Sequence, residues 1–249
     1  MPMNDKMTRL VATKTPDDEW WSSFVTAPMA ILFNYLVVDL VWLTPNLLTL
    51  ASFVTAVIAA ALVLLGGTLN FVLAAVLIHL SHVFDCMDGQ MARYRRTTSA
   101  SGSFFDRATD QIQVALWFGA VAYAAYDQSA EVLPILLAYV GVSFYSLRGY
   151  TKYIEIHIEV SRDRHYLDRD DDPTSVQTSS GIRWLAREQI KILHFDEGVF
   201  IFMLSLALIL NQLTPMLWIF ALSQTYLGVS RTLQRGRNIE LARNDQVQK

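Results

Sequence analysis

The sequence predicts an all-α integral membrane protein: six transmembrane helices preceded by an interfacial amphipathic helix, with both termini on the cytoplasmic side. Three features of the chain lead there. Of its 249 residues, 53% are hydrophobic and only 17% charged, so apolar segments dominate. Those residues fall in long runs, and about 18 or more mostly apolar residues in succession suffice for a helix to cross a hydrocarbon core. Lys and Arg are absent from the short connections 66–70, 127–131 and 211–214 and collect between the spans on the other side. The positive-inside rule makes that other side cytoplasmic.

Residues 1–44 form a cytoplasmic N-terminus and the interfacial helix. The stretch Met1–Lys14 is polar, and no signal-peptide pattern follows it. Ser22–Leu43 is apolar but interrupted by Pro28, Asn34 and Asp39, and a crossing there would place Lys6, Arg9 and Lys14 outside. It is expected to lie in the interface or dip partway, with Trp20 and Trp21 at the headgroup level.

Residues 45–235 are expected to form the six-helix transmembrane domain. The first span, Pro45–Leu65, opens with Thr44 as N-cap and Pro45 at the first helical position, and Gly66–Gly67 closes it. The second runs from about Leu69 to Arg93, the third from Gly102 to Tyr126, and the fourth from about Val132 to Tyr153 or beyond. A polar cytoplasmic connection, 161–190, contains "DRDDDPTSVQTSS", an acidic run of the kind that is usually solvated. The fifth span, about Glu197–Leu210, is short. The sixth opens at Thr214–Pro215 and ends near Arg231, and 236–249 is read as a cytoplasmic tail. A net charge of −3 gives no reason to expect nucleic acid as a partner, and the single cysteine, Cys86, excludes an internal disulfide or a Cys-only metal cage.

Between the second and third spans lies "FDCMDGQMARYRRTTSASGSFFDRATDQ". Asp85, Asp88 and Ala92 share one face of a helix by their i, i+3, i+7 spacing, and Asp106 and Asp110 share another at i, i+4. The short "YRRTTSAS" returns the chain antiparallel, so the two acidic faces meet. An Asp at the centre of a span costs about 2.5–3.5 kcal/mol, less near the interface, and close carboxylates repel. Divalent cations resolve both problems. Clustered oxygen ligands suit Mg²⁺ or Mn²⁺, no His/Cys set suggests zinc, and two ions would balance four carboxylates in an arrangement used for displacement at phosphorus. Gly89, Ala92 and Gly102 keep bulk off these faces. That suits close approach of a ligand, although tight helix packing through small residues reads the same way.

The pattern Asp85-x2-Asp88-Gly89-x2-Ala92-Arg93-x8-Gly102-x3-Asp106-x3-Asp110 resembles, without departure, the motif of the CDP-alcohol phosphotransferase (CDP-alcohol phosphatidyltransferase) family. "LTPNLLTLAS" at the first span looks like the family's Pro-Asn…Thr segment, whereas "FDEG" at the fifth resembles it only loosely. The resemblance implies that Asp85, Asp88, Asp106 and Asp110 gather two Mg²⁺ or Mn²⁺ ions around the pyrophosphate of a CDP-linked donor. It implies Asp110 as the base that takes the acceptor hydroxyl's proton, with CMP as the leaving group. Gly89, Ala92, Arg93 and Gly102 are then expected to line the nucleotide pocket, joined by Asn46 and Thr49. CDP-diacylglycerol is the expected donor, because a cleft at the interface admits a two-tailed lipid sideways. The acceptor, a small alcohol or a lipid, stays open, and homodimers are common in families of this kind. In a bacterium the location would be the inner membrane, with the site facing the cytoplasm.

Arg148 and Lys152, and likewise Arg231 and Arg235, are i, i+4 pairs. They read either as a clamp for an acceptor phosphate or as snorkelling, positive-inside residues. Arg107 reads as local charge balance, and His79, His82 and Cys86 as interior packing. Two other functions compete: a membrane prenyltransferase with aspartate-rich motifs, and a non-enzymatic divalent-cation transporter or lipid-binding scaffold. Against the first, prenyltransferase motifs lie far apart in sequence; against the second, the acids cluster near one interface rather than at the midplane.

Overall fold

A computed structural model describes residues 3–14, 19–162, 189, 192 and 195–247. Among the described residues all regular structure is helical: α1 (Met3–Val11), a π-helical turn (Ser22–Thr26) running into α2 (Ala27–Val37), α3 (Pro45–Leu65), α4 (Thr68–Arg95), α5 (Ala100–Ser129), α6 (Leu133–Arg162), α7 (Glu197–Ile209) and α8 (Leu213–Val247). Nearly all of the connection 161–190 falls outside the described residues.

Local chemistry sets the boundaries. Thr44 has extended backbone and its side chain accepts from the Leu47 N–H, one of the donors a helix start leaves unsatisfied. Gly66 and Gly67, at φ +68° and +84°, occupy a region L-residues rarely adopt and reverse the chain between α3 and α4. Ser99 caps α5 by accepting from Gly102 N–H at 3.1 Å. Asp196 caps α7 by accepting from Val199 N–H at 3.2 Å.

α4 is the central helix, packed by α3, by α2 and by α7, while α6 lies along α8 and α5 bridges α3 and α6. The core joins α3 through α8 around Phe71, Trp117, Phe118, Phe200 and Phe220, all nearly inaccessible. Phe118 and Phe220 stack 3.5 Å apart and nearly parallel, with Phe200 edge-on to both. Gly141 on α6 faces the Phe220 ring so closely that any Cβ would collide with it, and Gly228 on α8 faces Phe144 in the same way. These glycines set the approach of α6 and α8.

The outside of the bundle carries large apolar side chains: Leu50, Val54, Ile58 and Leu65 on α3 and Leu69, Leu73 and Val76 on α4 are exposed. Helices α3 and α4 are long and apolar enough to cross a membrane, yet only 33% and 39% of their most apolar windows are buried. A core helix of a water-soluble protein would be mostly buried, so these faces suit lipid.

Several boundaries differ from the sequence reading. α6 reaches Arg162, within the open end expected for it, whereas α8 runs unbroken to Val247 through the segment expected to be a tail. No proline follows Pro215, and residues after Arg231 are mostly good helix formers. Trp20 and Trp21, both partly exposed, pack against α7, their rings 5.6 and 4.7 Å from that of Phe202. Asn34, in the expected interfacial helix, is buried and donates to Met87 O at 3.0 Å. Arg95 gathers three carbonyls just past the C-terminus of α2, those of Val38, Leu40 and Leu43, at 2.6–2.9 Å through its Nη atoms, a favourable place for a cation.

Candidate active site

Helices α4 and α5 form a hairpin through a four-residue turn, with Arg96 in the left-handed conformation ending α4. This brings the two acidic faces together. Asp85, Asp88 and Asp106 each offer a carboxylate oxygen within 4.8 Å of the others. Among the described residues, Asp85 Oδ1 is buried without any hydrogen-bond partner. A buried, unpaired carboxylate oxygen among other carboxylates fits a bound cation, and an all-oxygen set fits a hard one such as Mg²⁺ or Mn²⁺. His82 and Cys86 also approach Asp85 within that distance. However, His82 Nε2 is hydrogen-bonded to Ser22 Oγ at 2.9 Å, and Cys86 Sγ donates to Thr26 Oγ1 at 3.6 Å. His79 Nδ1 accepts from Trp21 Nε1 at 3.2 Å. These residues lash the N-terminal segment to α4, as interior packing predicts.

The remaining motif residues surround the carboxylates. Thr49 donates a short hydrogen bond to Asp88 Oδ2, tying α3 to the motif. The Asn46 side chain reaches Gly102: a Cβ there would sit 3.5 Å from Asn46 Oδ1 and 3.1 Å from Ser99 Oγ. The Arg93 guanidinium lies over Gly89, 3.2 Å from where a Cβ would be, and its Nε donates to Thr13 O at 2.7 Å. Ala92 is half-buried one turn beyond Asp88. Beside Asn46 and Thr49 a cavity of about 280 Å³ is lined with Leu50, Phe53 and Phe105.

Asp110 stands apart from the other three. It is the one motif aspartate on the wall of a larger cavity, about 1270 Å³, between α5, α6, α7 and α8. Arg148, Lys152, Arg231 and Arg235 all line this cavity, as does Arg107. Arg235 is already engaged, pairing with Glu155 at 3.1 Å and donating to Arg148 O and Thr151 Oγ1 at 2.6 and 2.8 Å. Arg148 lies over the Tyr145 ring at 5.3 Å.

The structure adds residues that the sequence reading did not single out as a site. Glu197, the first residue of α7, lines the large cavity with Asp110, Asp196 and Tyr145. Glu19 accepts from Gly198 N–H, and any Cβ at Gly198 would press on Glu19 and Trp21. The signal was present in "FDEG": acidic residues opening an otherwise wholly apolar helix. Glu19 lies about 180 residues away in sequence and gave no such signal.

This geometry, carboxylates on a helix hairpin with small residues between them, is that of a helical phosphotransferase site. The CDP-alcohol phosphatidyltransferase family profile matches residues 42–224, and the chain belongs to that family. It is therefore an enzyme transferring a substituted phosphate group, which displaces the prenyltransferase and transporter readings. A curated relative, the bifunctional IPC transferase and DIPP synthase of Thermococcus kodakarensis, is 28% identical over 136 residues, 55% of this chain. The aligned region spans only 30% of that relative's length. The crystal structure of Mycobacterium tuberculosis phosphatidylinositol phosphate synthase with CDP-DAG bound has the same fold, with a TM-score of 0.58 at 15% identity, covering 85% of this chain and 93% of the other.

Proposed function

We propose that this chain transfers a phosphatidyl-type group from CDP-diacylglycerol to a phosphorylated alcohol and releases CMP. The observation that supports this most is the placement of Asp110 at the boundary between the carboxylate cluster and a large cavity carrying Arg148, Lys152 and Arg231. The donor's CDP moiety lies against Gly89, Ala92, Arg93 and Gly102, and its apolar part follows the groove of Leu50, Phe53 and Phe105 toward lipid. The bound CDP-DAG of the mycobacterial neighbour supports a donor of that class.

Asp85, Asp88, Asp106 and Asp110 would hold two divalent ions, which neutralise charge on the pyrophosphate and on departing CMP. Asp110 accepts the proton of the acceptor hydroxyl. That oxygen forms a bond to the phosphorus carrying the diacylglycerol, the bond from this phosphorus to the CMP oxygen breaks, and CMP takes the electron pair. Thr49 fixes the Asp88 carboxylate, and Asn46 crowds Gly102 to keep the slot narrow. Arg148, Lys152 and Arg231 receive the acceptor phosphate, with Arg235 braced against Glu155 behind them.

The protein is read as multi-pass, with α3 through α8 as six spans, both termini cytoplasmic and residues 45–235 as the catalytic unit. A test is CMP release by purified protein with CDP-diacylglycerol, Mg²⁺ or Mn²⁺, and glycerol 3-phosphate, inositol 1-phosphate, inositol, serine or ethanolamine. CMP and a matching phosphodiester should appear only with donor, metal and a phosphorylated acceptor together. Equal turnover with unphosphorylated alcohols alone would refute the acceptor class.

A further inference from the structure

Behind the carboxylates, a buried polar network joins the three helices that carry the motif residues. Ser52 on α3, Ser81 on α4 and Gln113 on α5 are 1%, 0% and 4% exposed. The Ser81 hydroxyl shares its one proton between the Ser52 carbonyl and Gln113 Oε1, both at 2.9 Å, and its oxygen meets the Ser52 hydroxyl at 3.1 Å. Each member stands one helical turn from a residue of the site. Ser81 precedes Asp85 by four positions, Gln113 follows Asp110 by three, and Ser52 follows Thr49 by three. Residues at those spacings lie on one helix face, so the network backs the cluster on the side of the apolar core. One step further along α5 and α3 that core is Val114, Trp117 and Ala56. Packing alone would be served there by a leucine, since burying an amide costs free energy that its hydrogen bonds must offset.

We propose that Gln113, through Ser81 and Ser52, is a positioning residue for the metal site, fixing the separation and rotation of α4 against α5 so that the oxygens of Asp85, Asp88 and Asp106 converge. This rests on the metal binding proposed above and adds what holds the ligands in register before an ion arrives. The three carboxylates come from two helices and offer oxygens within 4.8 Å of one another, a spacing that no bond within either helix can set. The turn after Arg96 joins α4 to α5 at one end of the motif. A hairpin held only at its turn opens like tongs, most at the far end, where Asp85 and Asp110 lie. The Ser81–Gln113 bond closes that far end, so the carboxylates sit between two points at which the helices are held. Through Ser52 the same bond sets the level of α3, whose Thr49 donates to Asp88. Sites of this kind need their ligands held within about 0.5 Å of the productive geometry. Gln113 touches neither ion nor substrate and moves no proton; it acts through the aspartates.

The experiment measures Mn²⁺ affinity of the solubilised full-length protein without any substrate, from the electron paramagnetic resonance signal of free Mn²⁺, beside the metal-free melting temperature. Wild type is compared with Gln113→Leu, Ser81→Ala, the two combined, and Trp117→Phe. Gln113→Leu and Ser81→Ala should each weaken Mn²⁺ binding about tenfold, the low end for residues that orient metal ligands from behind. CMP release should then need correspondingly more Mn²⁺, with kcat restored and donor KM within about twofold of wild type at saturating metal. The combined variant separates positioning from stability. Removing both partners leaves little unsatisfied, so its melting temperature should return toward wild type, yet its Mn²⁺ affinity should stay as low as that of Gln113→Leu. Trp117→Phe deletes the next contact of α5 with α3, from Nε1 to Ala56 O at 3.3 Å, and should lower the melting temperature without changing Mn²⁺ affinity. Wild-type affinity in Gln113→Leu or in the combined variant overturns the proposal, as does an equal loss in Trp117→Phe. Failure of both single variants to fold overturns it too, because the network is then structural alone. If wild type shows no saturable Mn²⁺ binding, the metal site itself is refuted and this assignment falls with it, whereas saturable binding unaltered in the variants refutes Gln113 alone.

Discussion

Asp110, the proposed base, and Thr49, which holds the Asp88 carboxylate, serve the site in different ways, and substitution should separate them. Asp110→Asn removes the proton acceptor while keeping size and polarity. General-base contributions run to about 10²–10⁴-fold, so kcat should fall by at least about 100-fold with donor KM little changed, measured as CMP release. Thr49→Val deletes the hydrogen bond that fixes Asp88 and leaves the carboxylate free to turn. A net loss near 1 kcal/mol is typical for such a bond, so an activity loss of about five- to tenfold, partly recovered at high Mn²⁺, is expected from a metal titration. The aspartates were legible in the sequence because their i, i+3 and i, i+4 spacings fix a helix face. Glu197 showed only as part of "FDEG", because Asp110, which lines the same cavity, is far off in the chain and tertiary packing alone brings them to one wall.

At the scale of elements, the contact between the N-terminal segment and α7 has a pH dependence. Burial, and then the charge of Asp196, push the Glu19 carboxyl from 4.5 up to about 8. The folded protein therefore holds this proton more tightly than the unfolded chain does. The stabilisation is complete below about pH 4.5 and is lost as pH rises to about 8. Thermal unfolding of the solubilised protein should shift to lower temperature between pH 6 and pH 9, and Glu19→Gln should flatten that part of the profile. The α6–α8 contact offers a second test. Gly141→Val forces a branched side chain into the Phe220 ring, and overpacking of this kind typically costs about 1–3 kcal/mol. Lower melting temperature with a normal donor KM is the expected pattern. Element starts such as Thr44–Pro45 were readable because capping is local chemistry. The end of α8 was not, because amphipathic, charge-rich sequence past a span gives no stop signal until tertiary contacts decide.

For the molecule as a whole, metal binding at the carboxylate cluster would link occupancy to stability. A ligand that binds only the folded state adds about 2.7 kcal/mol at 100 times its Kd, so Mn²⁺ should raise the melting temperature of wild type, and EDTA should lower it and abolish CMP release. Asp85→Asn combined with Asp106→Asn should remove the response to Mn²⁺ while raising the metal-free melting temperature, because repulsion is relieved. The all-helical fold was legible from composition and run length. The contact of Trp20 and Trp21 with Phe202 was not, because ring contacts between segments so far apart in the chain leave no local pattern.

The N-terminal segment meets the motif at Thr13, under the Arg93 guanidinium, and meets α7 at Glu19. The segment is thus held like a strap by two buckles, one beside Gly89 and Arg93 and one at the start of α7. Loosening either fastening should disturb both substrates together, so a fusion or tag placed close before Thr13 is a poor choice for purifying this enzyme in working form.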